Sequence, residues 1–188
     1  MDCSLPALLF ATRHSLFADV TLCPMRLCRF GDNRLGLVRG DGVADVTAAL
    51  DALPAHRYPL PRHDPLIAHL SDLRAGIAAA AERARPIPLA TIDLLSPIAN
   101  PGKIVAAPVN YKKHLEEARA DAAIHHQKQV EEIQKIGLFL KASSSVVGPS
   151  EGIAVRHPDR RTDHEIELAV VIGKRADRVA KELAFEHV

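Results

Sequence analysis

The sequence lacks the features of two large classes of binding protein. It contains no tryptophan, only 4% of its 188 residues are aromatic, and its formal net charge is +1. Binding of nucleic acid through phosphate attraction and base stacking needs a basic face and aromatic side chains, so we expect no nucleic-acid partner. No apolar run approaches the roughly 18–20 residues that span a bilayer, so we expect no membrane association through a transmembrane helix.

Cysteine is also scarce. The three cysteines, Cys3, Cys23 and Cys28, all lie within the first 28 residues, and no Cys/His group completes a zinc pattern. An odd number of thiols in this arrangement is typical of a reducing compartment rather than of a disulfide-bonded secreted domain. We therefore predict a cytoplasmic protein with reduced thiols.

The chain divides into three parts by pattern. Residues 1–24 are interpreted as an upstream extension, because they lack the basic start of a signal peptide and Met25 opens the first regular pattern. Residues 25–90 are predicted to form a small N-terminal domain, and residues 100–188 a second domain. Hydrophobic residues make up 47% of the chain, which is enough to give such domains a core.

Alternating apolar runs predict a β-meander in the N-terminal domain. Strands are expected over 26–30, 34–38 and 43–47, separated by glycine-containing turns. Apolar residues then recur at helical spacing over residues 65–84, which predicts one helix. Nothing in this part carries catalytic chemistry.

The second domain is predicted to begin with a strand over residues 103–107 and a long helix. Asn110 is a favourable N-cap, and the charged, alanine-rich stretch up to Ile136 predicts a single helix. A further strand is expected over residues 137–141. Lys141 and the serines after it offer groups for an anionic substrate; the alternative is a lysine whose ammonium group simply reaches solvent at a strand end.

His114 and Glu117 are three residues apart on the predicted helix, so they share one face. A carboxylate beside an imidazole orients the ring and raises its basicity, which suits a general base that activates water. The alternative is a solvated helix face, because Lys112–Glu116 and Lys113–Glu117 have the spacing of ordinary surface ion pairs.

The most informative stretch lies near the end of the sequence. The apolar run Leu168–Ile172 predicts a strand, and Glu165 and Glu167, two residues apart, would project from one face of it, with Asp163 a possible third. Clustered carboxylates at a strand end either face water or hold a cation, and an all-oxygen site suits Mg²⁺, Mn²⁺ or Ca²⁺.

Three motifs in order resemble the fumarylacetoacetate hydrolase family. They are Asn110-Tyr111-x-x-His114-x-x-Glu117, Leu138-Phe139-Leu140-Lys141-x-Ser143-Ser144 and Asp163-x-Glu165-x-Glu167-Leu168-Ala169-Val170-Val171-Ile172-Gly173-Lys174. The resemblance implies an α+β fold dominated by β-strands. In it, the β-meander domain precedes a mixed-sheet catalytic domain.

The resemblance also implies a function and roles for particular residues. Glu165 and Glu167 would hold Mg²⁺ or Mn²⁺, and His114 with Glu117 would activate water. The expected substrate is a 1,3-dicarbonyl oxo acid of the fumarylacetoacetate or acylpyruvate type, from aromatic catabolism, whose C–C bond is hydrolysed. Tyr111, Lys141 and Ser143 are expected to contact that substrate.

Relatives of this family suggest alternatives and an expected assembly. Some are decarboxylases, isomerases or hydratases that use the same metal site, and homodimers are usual at full length. A third carboxylate ligand, an aspartate, is expected after the glutamate motif, and no residue up to Val188 can be assigned that role. We therefore expect a fragment that is inactive alone, and the competing hypothesis is a truncated, non-catalytic remnant.

Overall fold

The computed structural model describes residues 25–121, 131 and 133–188. The predicted extension 1–24, with Cys3 and Cys23, and much of the predicted long helix therefore lie outside the described residues. The strands are β1 (Leu27–Phe30), β2 (Arg34–Arg39), β3 (Gly42–Asp45), β4 (Ile87–Pro88), β5 (Leu94–Leu95), β6 (Ile104–Ala106) and β7 (Phe139–Lys141). The α-helices are α1 (Pro65–Ala68), α2 (Leu70–Arg83), α3 (Lys112–Ala120) and α4 (Ile133–Ile136). Within these described ranges, 3-10 helices cover Thr47–Ala52, Leu89–Thr91, Ser143–Ser145 and Lys181–His187.

A five-stranded antiparallel sheet forms the first half, in the order β4-β3-β2-β1-β5. Its centre is the meander β1–β3, with Leu27 opposite Leu37 and Val38 opposite Val43. The tight turns need backbone conformations that glycine and asparagine tolerate, and Gly31, Asn33 and Gly40 all have positive φ. The three strands expected from the alternating pattern are present, and β4 and β5 extend the sheet to Leu95.

Helix α2 covers one face of this sheet and closes the hydrophobic core. Its buried residues follow helical spacing, and they meet buried residues of β2, β3 and the following 3-10 helix. The core consists of Leu35, Leu37, Ala44, Val46, Ala49, Leu73, Ile77, Ala80 and Ala81. Full burial of one such aliphatic side chain is worth about 1.5–3 kcal/mol, so this cluster supplies much of the stability of the first half.

The helix predicted over residues 65–84 is interrupted at His69, where φ is −112° and ψ is 15°. Asp64 begins α1, because its Oδ1 accepts hydrogen bonds from the amides of Leu66 and Ile67. Its Oδ2 accepts two more, from Ala99 at 2.9 Å and Asn100 at 3.1 Å. This buried carboxylate thus ties the helix start to the loop that leads into β6.

The single long helix predicted from Asn110 to Ile136 is wrong in its start and its continuity. Tyr111, not Asn110, is the N-cap of α3, and no side chain caps that end. The helix ends at Ala120, because Asp121 adopts an extended conformation with φ −94° and ψ 101°. Residues 122–130 lie outside the described part, and α4 is a separate single turn.

The strand predicted over Leu168–Ile172 is also wrong, since residues 161–172 have no regular secondary structure. A strand needs a neighbour to share its backbone hydrogen bonds, and no described strand pairs with this segment. Its apolar side chains remain exposed, with Leu168 at 81% and Ile172 at 57%. Both described sheets are antiparallel, so the expected mixed sheet is not seen within the described residues.

The coarse fold class nevertheless agrees with expectation: antiparallel sheets with a few helices, an α+β fold rich in β-structure. Within the described residues, no helix is both long and apolar enough to cross a membrane. Cys28 is a free, half-buried thiol on β1, and burial raises its pKa, which favours the protonated form at neutral pH.

Candidate metal centre

Helix α3 carries the first side chain of the candidate site. It lies in the chain between β6 and β7, which pair with each other so that Ile104 is opposite Lys141. Ala118 is buried, and His114, four residues earlier on the same helix face, keeps 27% of its side chain exposed. The backbone before the helix is strained, since Val109 is β-branched and has φ +46°. Such conformations cost about 1–3 kcal/mol and cluster at functional sites.

Two glutamates from the segment after residue 160 join this histidine. Ligand atoms of His114, Glu165 and Glu167 all lie within 4.8 Å of one another. Within this group, His114 Nε2 lies 3.4 Å from Glu165 Oε1. The two glutamates therefore converge as their two-residue spacing predicted, although the segment is not a strand.

Asp163, the third carboxylate of the motif, has a different partner. Arg161 Nε lies 2.8 Å from Asp163 Oδ2, and Arg161 Nη1 donates a hydrogen bond of 3.0 Å to Asp121 Oδ2. The hydrogen bonds to Asp121 and then to Asp163 raise the pKa of Arg161, so its charge is permanent at any relevant pH. Asp163 thus neutralises an arginine beside the cluster rather than joining it.

Glu117, predicted to orient His114, is exposed on α3. Among the described residues, no hydrogen bond or ion pair joins it to the imidazole, whose carboxylate neighbour is Glu165 instead. The three-residue spacing placed both side chains on one side of a helix, but the imidazole turns toward residues 161–168, called the acidic segment below. A catalytic role for Glu117 remains a prediction.

The three expected substrate contacts have separate surroundings. Tyr111 is close to the cluster, because its hydroxyl oxygen accepts a hydrogen bond from the amide of Leu168 at 3.4 Å. Lys141 ends β7, exposed, with its ammonium 5.8 Å from the Phe139 ring centre. Ser143 lines a cavity of about 230 Å³ with Arg29 and other residues, and none of the three clustered side chains lines it.

The cluster has the chemistry of a site for a hard divalent cation. Two carboxylates so close together repel each other, and a cation between them removes that repulsion. Carboxylate oxygen and imidazole nitrogen are donors that Mn²⁺ accepts, and Mg²⁺ accepts the carboxylates. Around an octahedral ion with bonds of ~2.1 Å, adjacent ligands are ~3.0 Å apart and opposite ligands ~4.2 Å apart, so the three ligand atoms, which lie within 4.8 Å of one another, would have to move closer together around a bound ion.

Fold and site together define the class as a protein with a candidate divalent-cation centre on an α+β fold rich in β-structure. Residues 103–188 match the family model described as fumarylacetoacetate (FAA) hydrolase C-terminal. This part of the chain, which contains all three motifs, belongs to the fumarylacetoacetate hydrolase family, as the motifs led us to expect.

Individual relatives agree with this family. The chain is 55% identical to a maleylpyruvate hydrolase of Aquipseudomonas alcaligenes over 166 residues, which are 87% of this chain and 58% of that protein. It is 31% identical to a mitochondrial oxaloacetate tautomerase of Xenopus laevis over 171 residues, 87% of this chain and 49% of that protein. The chain thus spans 58% and 49% of the lengths of these two relatives.

A solved structure gives the same result at the level of fold. The chain resembles the crystal structure of maleylpyruvate hydrolase from Sphingobium sp. SYK-6 in complex with manganese(II) ion and pyruvate. The TM-score is 0.64 and the sequence identity 38%, over 87% of this chain and 55% of that one.

Two features of the site were missed by sequence reasoning. The partner of His114 is Glu165, 51 residues away in sequence, and Arg161 joins the end of α3 to the acidic segment. Neither contact has a local signal, because each depends on how distant segments pack. The sequence signal for this group was the regular spacing of two residues between the charged side chains of Arg161, Asp163, Glu165 and Glu167.

Proposed function

We propose that this protein is a divalent-metal-dependent hydrolase that cleaves a C–C bond of a 1,3-dicarbonyl acid of the acylpyruvate type, in the breakdown of aromatic compounds. The observation that carries the proposal is the convergence of His114, Glu165 and Glu167 in a chain 55% identical to a maleylpyruvate hydrolase. The related Sphingobium enzyme was crystallised in complex with manganese(II) and pyruvate, which supports both the metal and the oxo-acid substrate.

Glu165 and Glu167 would hold the cation, Mn²⁺ or Mg²⁺, with Ca²⁺ as a further candidate. Once bound, the cation supplies Lewis acidity, which polarises the substrate oxygens and stabilises the negative charge that develops there. Both glutamates are exposed, so the site is accessible to a metal ion and to a small chelating acid. The third carboxylate that the family resemblance implies is not assigned to any described residue.

His114 would act as the general base. Its Nε2 lies 3.4 Å from Glu165 Oε1, which is longer than a well-formed hydrogen bond, so this nitrogen is still available to take a proton from water. Glu165 would supply the neighbouring negative charge that we had expected from Glu117. That charge stabilises the imidazolium formed when the proton arrives.

The reaction balances with water as the only co-substrate. Water gives a proton to His114, and its oxygen adds to the acyl carbonyl carbon of the substrate. The bond from that carbon to the neighbouring methylene carbon breaks, and its electron pair leaves as the enolate of pyruvate. The enolate carbon then takes the proton back from His114, so the base is restored and the products are pyruvate and a carboxylic acid. Tyr111, beside Glu167 through its bond to Leu168, is the best placed of the predicted substrate contacts.

A tautomerase is the second candidate, because oxaloacetate tautomerases are among the relatives at 28–31% identity. Keto–enol exchange of an oxo acid needs only a proton moved between carbon and oxygen, which the same histidine could perform. Decarboxylase and hydratase activities of the same family remain predictions without a specific supporting observation. Product analysis separates these reactions, since only the hydrolase releases pyruvate together with a second acid.

The finer organisation belongs to the same proposal. We propose a small N-terminal domain over residues 25–90 and a fumarylacetoacetate-hydrolase-type catalytic domain over 100–188, supported by a family match that begins at residue 103. A homodimer and a cytoplasmic location also remain predictions. Sedimentation of the protein with and without Mn²⁺ would test the dimer.

The proposal is tested by pyruvate release from acylpyruvates in the presence of Mn²⁺, measured on a full-length protein that contains this sequence together with the third carboxylate ligand that the family resemblance implies. We expect His114→Ala to lower turnover by roughly 10²–10⁴-fold, because it removes the general base, while Mn²⁺ binding persists through the glutamates. The control is His157→Ala, an exposed histidine outside the cluster, which should keep full turnover.

Two results would argue against the hydrolase. Equal turnover in His114→Ala and the parent would remove the base assignment. Absence of pyruvate release from a Mn²⁺-loaded parent that still interconverts oxaloacetate tautomers would favour the second candidate. Absence of both activities would favour a non-catalytic remnant.

A further inference from the structure

Helix α3 and the acidic segment 161–168 run antiparallel, and they touch at three points. Tyr111 Oη meets the amide of Leu168 at 3.4 Å, and His114 Nε2 meets Glu165 Oε1 at 3.4 Å. At the other end, Arg161 Nη1 donates to Asp121 Oδ2 at 3.0 Å. The residue numbers rise along the helix, from 111 to 114 to 121, while those of their partners fall, from 168 to 165 to 161. The three contacts therefore belong to one antiparallel alignment of the helix and the segment.

The acidic segment has little else to fix it. Among the described residues, Leu168 is the one residue of 161–172 whose backbone amide donates a hydrogen bond to a protein acceptor. The side chains of Glu165 and Ile166 are largely exposed, at 59% and 92%. The position of the two glutamates opposite His114 therefore depends on the contacts with α3.

Arg161 forms the contact at the C-terminal end of α3, and its geometry suits a residue that fixes the acidic segment to the helix. Its guanidinium reaches Asp121 at the C-cap of α3 through Nη1 and Asp163 of the segment through Nε. A planar guanidinium holds two carboxylates at fixed relative positions, which a single ammonium cannot do. Its positive charge at the end of the helix also matches the negative end of the helix dipole.

We propose that Arg161 is a positioning residue of the cation site, which holds Glu165 and Glu167 against His114 by joining the C-terminal end of α3 to Asp163. The proposal rests on the metal site of the proposed function. It assigns to Arg161 no contact with the cation or the substrate.

A positioning role and a purely electrostatic role of Arg161 predict opposite changes in Mn²⁺ affinity when this arginine is removed. A positive charge near a cation site repels the cation, and its removal also frees two carboxylates, so electrostatics alone predicts tighter Mn²⁺ binding in Arg161→Ala. Positioning predicts weaker binding, because the glutamates lose their fixed location. Changes in groups that orient metal ligands typically weaken metal affinity by about 10–100-fold, and we expect about tenfold here.

The experiment is a Mn²⁺ titration of the purified protein, followed by the electron paramagnetic resonance signal of free Mn²⁺. Arg161→Ala should bind about tenfold more weakly, and Arg161→Lys should recover part of the loss because an ammonium can still reach one carboxylate. Arg160→Ala is the matched control. It removes the same positive charge from the neighbouring residue, whose side chain is exposed and makes no ion pair among the described residues. It should leave the affinity unchanged or slightly higher.

A double variant tests the partner. If Arg161 acts through Asp121, adding Asp121→Asn to Arg161→Ala should weaken Mn²⁺ binding no further than Arg161→Ala alone. Circular dichroism spectra of all variants should match that of the parent. If Arg161→Ala does not fold, the single variants Arg161→Lys and Asp121→Asn test the same proposal, because each should still show a smaller loss of Mn²⁺ affinity.

The outcomes separate this proposal from the proposed function. Unchanged or tighter Mn²⁺ binding in Arg161→Ala, with weak binding in Glu167→Gln, would overturn the positioning role and leave the metal site intact. Unchanged binding in Glu167→Gln would instead overturn the metal site itself. Equal losses in Arg161→Ala and Arg160→Ala would also overturn the positioning role, because general charge would then explain both.

Discussion

The two halves of the described chain differ in where their large apolar side chains lie. In the sheet-and-helix half, Leu35, Val43, Val46 and Ile77 are at most 1% exposed. In the half that carries the acidic segment, Ile166 is 92% exposed, and Leu168 and Phe185 are 81% and 76% exposed. The first half is held together by its own hydrophobic packing, whereas the second presents the chemical groups on segments with little packing of their own.

This difference separates stability from chemistry. Changes in the core of the first half should lower the free energy of unfolding without touching the cation site. Changes at the acidic segment should alter metal binding with little effect on unfolding. His114, Arg161 and Tyr111 are the points at which the second half gains order, because they join the acidic segment to α3.

The largest expected effect compares one substitution at two positions. Ile77→Ala creates a cavity in the core and should lower the free energy of unfolding by about 2–5 kcal/mol in urea denaturation. Ile166→Ala removes the same atoms from an exposed side chain and should change it by less than about 0.5 kcal/mol. Similar losses in the free energy of unfolding at both positions would contradict the comparison. If Ile77→Ala does not fold, Ile77→Val replaces it, with an expected loss of about 0.5–1.5 kcal/mol.

The smallest expected effect is a pH dependence in the first half. Burial raises the pKa of Asp45, but hydrogen bonds from Thr47 and the ion pair with Arg34 outweigh it and hold that pKa below its ordinary value. A carboxyl with a lowered pKa stabilises the fold fully above its unfolded-state pKa of about 3.9, and this contribution disappears as the pH falls through the folded-state pKa. Because the pair is partly exposed, we expect less than about 1 kcal/mol.

The measurement is the free energy of unfolding of the parent and Asp45→Asn between pH 7 and pH 3. Their difference should be constant above about pH 5 and shrink as the pH falls below about 4. Asp51→Asn, at an exposed position with no hydrogen bond or ion pair in the described chain, is the control and should change the free energy little. A difference that grows toward acid pH would show that Asp45 does not stabilise the fold as an anion.

The local features of the first half could be predicted because their causes are local. The turns at Gly31 and Gly40, together with the alternation of apolar and polar residues, predict the strands β1–β3. The spacing of Leu73 and Ile77 predicts the buried face of α2. The break at His69 was missed, because it depends on Asp64 bonding both to the start of α1 and to the distant residues Ala99 and Asn100.

In the second half, residue types were predicted better than conformations. Glu165, Glu167 and His114 were singled out, and their ligand atoms do converge. The strand at Leu168–Ile172 was wrong, because a strand forms only with a neighbour and that partner is not a property of the run itself. The predicted pairing of His114 with Glu117 followed helical spacing, and a contact across 51 residues replaced it.

The most direct test of the account is the Mn²⁺ affinity of the parent, Glu165→Gln and Glu167→Gln, measured by titration. Each substitution removes a charged ligand with almost no change in shape, so both variants should bind at least about tenfold more weakly, a loss no smaller than that from disturbing a ligand's neighbours. Glu186→Gln, an exposed glutamate outside the cluster, should bind as the parent does. Equal affinity in all four proteins would show that these glutamates hold no cation and would contradict the central claim.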